Sequence, residues 1–156
     1  MNPEERRALV EQYRAGPAEL RAALEEVGEA TLDHRPADGG WTPREVVHHT
    51  ADSEMTSAIR LRRLIAEDEP EIIGYDGDEF ARRLHYRDRP IEPALEAIAG
   101  ARSTTVQILE RLTEAEWRRT GTHSEMGPYG VERWLGIYAA HCHEHADQIR
   151  KAGLAE

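Results

Sequence analysis

Near its C-terminus the chain reads Ala140-His141-Cys142-His143-Glu144-His145-Ala146-Asp147-Gln148, and this stretch constrains the fold more than any other. Residues four apart on a helix lie one above the other on one face, so His141 and His145 converge if the stretch is helical. His143 stands about 200° round the helix from His141 and points elsewhere. Two imidazoles at this spacing suit a divalent metal, but a catalytic site of the zinc type needs a third protein ligand and one open position. That ligand has to come from a facing helix. The candidate stretch is Trp41-Thr42-Pro43-Arg44-Glu45-Val46-Val47-His48-His49.

The 156 residues suit one domain, 1–156, with a sizeable core. A net charge of −10 argues against nucleic acid and against an anionic membrane surface as partners. No apolar run approaches membrane-spanning length, and the N-terminus has no signal-peptide core. The single cysteine, Cys142, excludes an internal disulfide and fits a reducing compartment. The expected location is cytoplasmic.

Asn2 caps a helix that opens at Pro3, with Glu4 and Glu5 in its first turn. Leu9, Val10, Tyr13, Leu20, Ala23, Leu24 and Val27 recur at helical spacing. Gly16-Pro17 interrupts them, so either the helix kinks or a short helix precedes a longer one. After a loop over residues 28–40, Thr42, Pro43 and Glu45 form a capping box with proline at the first helical position. The helix they open should run to about Ala66. Its apolar line is Val47, Ala51, Ala58, Leu61 and Ile65, and Glu54 falls on that line. His49 lies off it, beside Ser53, Ser57 and Arg60, like the wall of a cleft. A long connection over 69–92 holds a short helix at 79–84. Its length predicts a crossover rather than a tight turn. A third long helix is expected from about Pro93 to Leu112. A second capping box at Thr113–Glu116 opens a turn of helix through Trp117. Residues 120–130 form a loop or small hairpin. The last helix runs from about Val131 to Lys151, with Trp134, Tyr138, His141, His145 and Gln148 on one face. Four long helices without convincing strands predict an all-α four-helix bundle with a long crossover connection. Sites in bundles are built from facing helices.

Gly40-Trp41-Thr42-Pro43-Arg44-Glu45-Val46-Val47-His48-His49-Thr50-Ala51-Asp52-Ser53 with Ile59-Arg60 resembles the first metal-ligand helix of the DinB/YfiT-like superfamily. Tyr138–Ile149 resembles its last helix. Tyr75-Asp76 in the crossover and Leu112-Thr113-Glu114 before the final loop keep the same order of elements. The resemblance implies a four-helix bundle holding a divalent metal, zinc or nickel, on three histidines. By position these are His49, His141 and His145. Members are labelled metal-dependent hydrolases, and some are thiol S-transferases or isomerases using bacillithiol, mycothiol or glutathione. The YfiT-like branch tends to form homodimers. One departure is Glu54, where a histidine is expected.

The leading expectation is a metal-dependent enzyme of small molecules, with S-transfer from a low-molecular-weight thiol cosubstrate ahead of hydrolysis. A metal-binding or sequestering protein without catalysis is the alternative; it calls for a fourth protein ligand, for which Cys142 and Glu54 are the candidates. Asp52 and Glu54 are candidate proton acceptors, and Asp52 is also a candidate to orient a ligand imidazole. Glu54 on an apolar line is expected to pair with an arginine, since a lone buried carboxylate is costly. Arg60 and Tyr138 are candidate substrate-binding residues. His48 is expected to form a surface pair with Asp52. His143 is expected to be solvated. His34, His85 and His123 are assigned to loops apart from the site, with His85 the one that could edge it.

Overall fold

The structure, a computed structural model, describes residues 1–154. The long helices are α1 (Pro3–Val27), α2 (Pro43–Ala66), α4 (Glu92–Leu109) and α6 (Val131–Leu154), with short helices α3 (Gly77–Arg83) and α5 (Glu114–Trp117). The capping box at Thr42 forms as expected: the Thr42 hydroxyl accepts from the Glu45 amide at 3.2 Å, and Glu45 accepts from the Thr42 amide at 2.9 Å. Asn2 and Thr113 build equivalent boxes on α1 and α5. These reciprocal bonds satisfy amides that a helix start otherwise leaves unpaired.

Helix α1 packs against α4 and α6, and α2 packs against the same two. Consecutive helices α1 and α2 therefore stand on a diagonal of the bundle, and so do α4 and α6. This explains the long connections before α4 and α6. No helix among the described residues is long and apolar enough to cross a membrane.

Three expectations change. Gly16-Pro17 does not break α1, which runs unbroken from Pro3 to Val27. Proline has no amide to donate to the carbonyl four residues back. That carbonyl, Tyr13 O, instead accepts from Nη1 of Arg102 on α4. Gly16 makes room for the same guanidinium: a Cβ there would lie 2.4 Å from Arg102 Nη1 and 2.7 Å from Cys142 Cβ. Of the two alternatives for residues 120–130 the small hairpin forms, as β2 (Thr120–His123) and β3 (Gly127–Gly130), and it is joined by a strand absent from the sequence expectation, β1 (Glu71–Ile72). β1 runs parallel to β2, and β2 pairs antiparallel with β3. The sheet ties the crossover to the segment before α6. Finally, α4 ends at Leu109, short of Leu112.

The core divides into two clusters. Tyr13, Leu61, Leu64, Trp134, Leu135 and Tyr138 dominate one, which the sheet covers with Ile72 and Tyr129. Leu20, Val46, Val47, Leu95, Ile98, Cys142 and Ile149 form the other.

Candidate metal centre

One ring nitrogen from each of His49, His141 and His145 lies within 4.8 Å of the other two. Helix α2 presents the first and α6 the other two. The ring centroids of His141 and His145 are 4.5 Å apart, and those of His49 and His145 are 4.9 Å apart. All three rings are half-buried. Trp41, just before α2, lies against His49 with centroids 4.5 Å apart. The crossover reaches the same ring at Gly77, where a Cβ would sit 3.6 Å from it.

The hydrogen bonds set the tautomers. His141 Nδ1 lies 2.8 Å from Glu54 Oε1, and His145 Nδ1 lies 2.8 Å from Gln148 Oε1. Both partners accept, so both Nδ1 atoms carry the proton. The two Nε2 atoms face each other at 3.1 Å. Two nitrogens each 2.0–2.1 Å from one tetrahedral ion would be about 3.3 Å apart. The third ring has a buried Nδ1 with no hydrogen-bond partner. The donor set, three imidazoles with two anchored behind, fits a divalent ion. Burial first, then the neighbouring histidines, lower His49 to about 3 and His145 to about 4, so both rings are held in the neutral, ligating form.

Glu54 is fully buried and answers the anomaly in its sequence position. Arg102 donates to it twice, Nε to Oε2 at 3.0 Å and Nη2 to Oε1 at 2.7 Å. Arg102 Nη2 also donates to Tyr138 O at 2.7 Å, and its guanidinium sits 4.1 Å from the Tyr13 ring centroid. Burial alone would raise the Glu54 carboxyl; the bond from His141 and the charge of Arg102 outweigh it and hold the group below the usual carboxylate range. Glu54 thus pairs with a core arginine and orients a ligand-type histidine at once. The sequence carries a signal for Arg102: it falls in the row Leu95, Ile98, Arg102, Thr105, Leu109, which is buried throughout.

Asp52 accepts a bond from the Tyr86 hydroxyl. His48 is not a surface partner of Asp52: it is buried, with Nε2 3.1 Å from Arg89 O. His143 is half-buried rather than solvated, its Nε2 3.0 Å from Gln12 O on α1. His85 is exposed, in the left-handed conformation at φ 54. Cys142 is buried with Sγ 3.7 Å from Glu54 Oε1, outside the histidine cluster, and burial followed by the charge of Glu54 pushes its thiol up. The expected cleft wall below His49 closes at Ser57, which is buried and whose carbonyl accepts from Trp134 Nε1 at 2.9 Å. Further along, Arg60 lies buried beside Tyr138, with Nη1 3.4 Å from the Tyr138 hydroxyl. The Tyr138 ring stands 5.3 Å from that of His141. His123, assigned from sequence to a loop, is a buried residue of β2.

Similarity to known proteins agrees with this geometry. A relative from Oceanobacillus iheyensis is 35% identical over 133 residues, covering 85% of this chain and 77% of its own length. One from Geobacillus thermodenitrificans is 34% identical over 137 residues, covering 85% and 75%. Both carry the name "Putative metal-dependent hydrolase", as does YfiT of Bacillus subtilis, 32% identical over 134 residues and covering 85% and 75%. The solved structure of YfiT, described as having "an unusual four-helix bundle topology", matches with a TM-score of 0.90 at 29% identity, over 97% of this chain and 87% of that one. The family model of the DinB superfamily matches residues 12–149. With that match over most of its length, the chain belongs to the DinB superfamily.

Proposed function

We propose that this protein is a divalent-metal-dependent enzyme of small molecules, with His49, His141 and His145 as the ligands and a low-molecular-weight thiol as cosubstrate. The observation that carries the metal assignment is the convergence of three ring nitrogens within 4.8 Å of one another, with the Nδ1 atoms of His141 and His145 bonded elsewhere and their Nε2 atoms 3.1 Å apart. A divalent ion there would acidify a thiol or a water placed on it. The chain's own residues hold and aim the ligands: Glu54 fixes His141, Gln148 fixes His145, and Trp41 backs His49. Cys142 and Glu54 stay outside the cluster, which supports an open position rather than a closed structural site.

S-transfer is placed ahead of hydrolysis by the resemblance of the two histidine-bearing helices to a family that includes thiol S-transferases, and the carboxylates take no direct part in either. Glu54 is committed to Arg102 and His141, and Asp52 to Tyr86. Neither is free to act as a base, so the proton of a metal-acidified thiol or water would pass to solvent. The sulfur would attack an electrophilic carbon while the bond to the leaving group breaks. Cys142 is sealed and its thiol raised, so the nucleophilic sulfur would arrive with the cosubstrate. Hydrolysis is the second reading, supported by the names of the relatives.

Elemental analysis of untagged wild type, His49→Ala, His145→Ala and His48→Ala tests the metal. Near-stoichiometric metal lost with His49 or His145 and kept with His48 is expected. A metal-free wild type that takes up neither zinc nor nickel would sink the proposal. Thiol consumption with chlorodinitrobenzene, against release of nitrophenol from its acetate, then separates transfer from hydrolysis.

A further inference from the structure

Three buried polar atoms without hydrogen-bond partners lie where the far end of the site meets the sheet: Arg60 Nε, His123 Nε2 and Tyr129 OH. Buried polar groups are nearly always satisfied, so three neighbouring exceptions call for a missing partner. Arg60 is only 8% exposed, yet no carboxylate among the described residues forms an ion pair with it. Its Nη2 donates to Ile73 O at 2.8 Å, its Nη1 makes only a long contact with the Tyr138 hydroxyl, and its guanidinium lies 5.7 Å from the Tyr75 ring centroid. A buried charge with no counter-charge is unfavourable.

The neighbouring groups are mostly donors as well. The Glu125 amide donates to His123 Nδ1 at 3.1 Å, which leaves the ring proton on Nε2 and makes that atom a donor. In the hairpin register His123 pairs with Gly127 and Tyr129 with Gly121, so the two side chains share the inner face, with ring centroids 5.3 Å apart. Burial, then the charge of Arg60, lowers the His123 imidazole. The Tyr138 hydroxyl receives the Arg60 contact at 3.4 Å.

We propose that Arg60, His123, Tyr129 and Tyr138 form an anion subsite beside the three-histidine centre, and that it takes a carboxylate of the small-molecule substrate. A carboxylate brings two acceptor oxygens and the charge that Arg60 lacks. A trapped water would satisfy donors but supply no counter-charge. The subsite deepens the proposed function, since it selects anionic substrates, but its own chemistry does not depend on the metal.

The test uses the full chain labelled with 15N-histidine, both zinc-loaded and metal-free, with butyrate and its neutral isostere butyramide as probes. Butyrate is expected to move the His123 Nε2–H resonance in both forms and butyramide is not. Arg60→Gln is expected to weaken butyrate binding about tenfold, the loss of one charge-assisted contact. On zinc-loaded protein 3-mercaptopropionate is expected to bind about tenfold tighter than 2-mercaptoethanol, a preference that Arg60→Gln removes. Tyr129→Phe, whose hydroxyl has no partner to lose, decides the matter if Arg60→Gln does not fold; it should weaken butyrate about threefold. Equal responses to butyrate and butyramide, or a wild-type affinity for butyrate in both variants, would overturn the subsite and leave water as the partner of these donors. Metal content read on the same samples fails separately: a chain that holds no zinc refutes the metal centre while the butyrate titration still decides the subsite.

Discussion

At the scale of single residues, the histidine cluster rests on a carboxylate set behind His141. Glu54 Oε1 receives both His141 Nδ1 and Arg102 Nη2, so the arginine keeps the carboxylate charged and the carboxylate keeps the histidine aimed. Glu54→Gln preserves an acceptor but not the charge. It is expected to lower metal affinity about 10- to 100-fold, as for other partners of ligand histidines, measured by competition with a chromophoric chelator. Arg102→Met leaves Glu54 buried and uncompensated, and a loss of about 3–5 kcal/mol in urea unfolding is expected. Glu54 was legible in the sequence as an acid on an apolar line. Its partner was harder to see, because an arginine within a helical row reads equally as a surface residue until the facing helices are in place.

At the scale of elements, α1 shows how a sequence signal for a break can serve a tertiary contact. Pro17 frees the carbonyl of Tyr13, and Gly16 clears the path to it, so that Arg102 of α4 docks into the helix backbone. Local rules predict an interruption; the distant guanidinium replaces the lost bond and the helix continues. Gly16→Ala places a methyl group against Arg102 and Cys142, and a loss of about 1–3 kcal/mol is expected from thermal unfolding. The capped starts of α2 and α5 were legible because cap and helix lie within four residues of each other. The sheet was not. β1 has two residues and pairs with a strand about fifty positions later, so no local alternation announces it.

At the scale of the whole molecule, folding buries imidazoles that the unfolded chain leaves in water. His49 is lowered to about 3 and His145 to about 4, against an ordinary 6.5. Between those values the unfolded chain binds protons that the folded chain does not, so the stability of the metal-free protein is full above about 6.5 and falls as the pH drops toward 4. Urea midpoints of metal-free protein from pH 7.5 to 4.5 should show that decline, and His49→Phe should make it shallower. A flat profile in the wild type would mean that the rings titrate as if exposed. The sequence by itself determined the helices, their caps and the His141–His145 pair, because each rests on residues within one or two turns of each other, and the family resemblance added His49 as the candidate third ligand. Only the tertiary structure decided that Arg102 is the partner of Glu54, that His48 turns toward Arg89 and away from Asp52, and that His123 and Tyr129 join Arg60. These depend on which faces of distant elements meet across the diagonal bundle and its sheet, and helical or strand periodicity alone carries no record of that meeting.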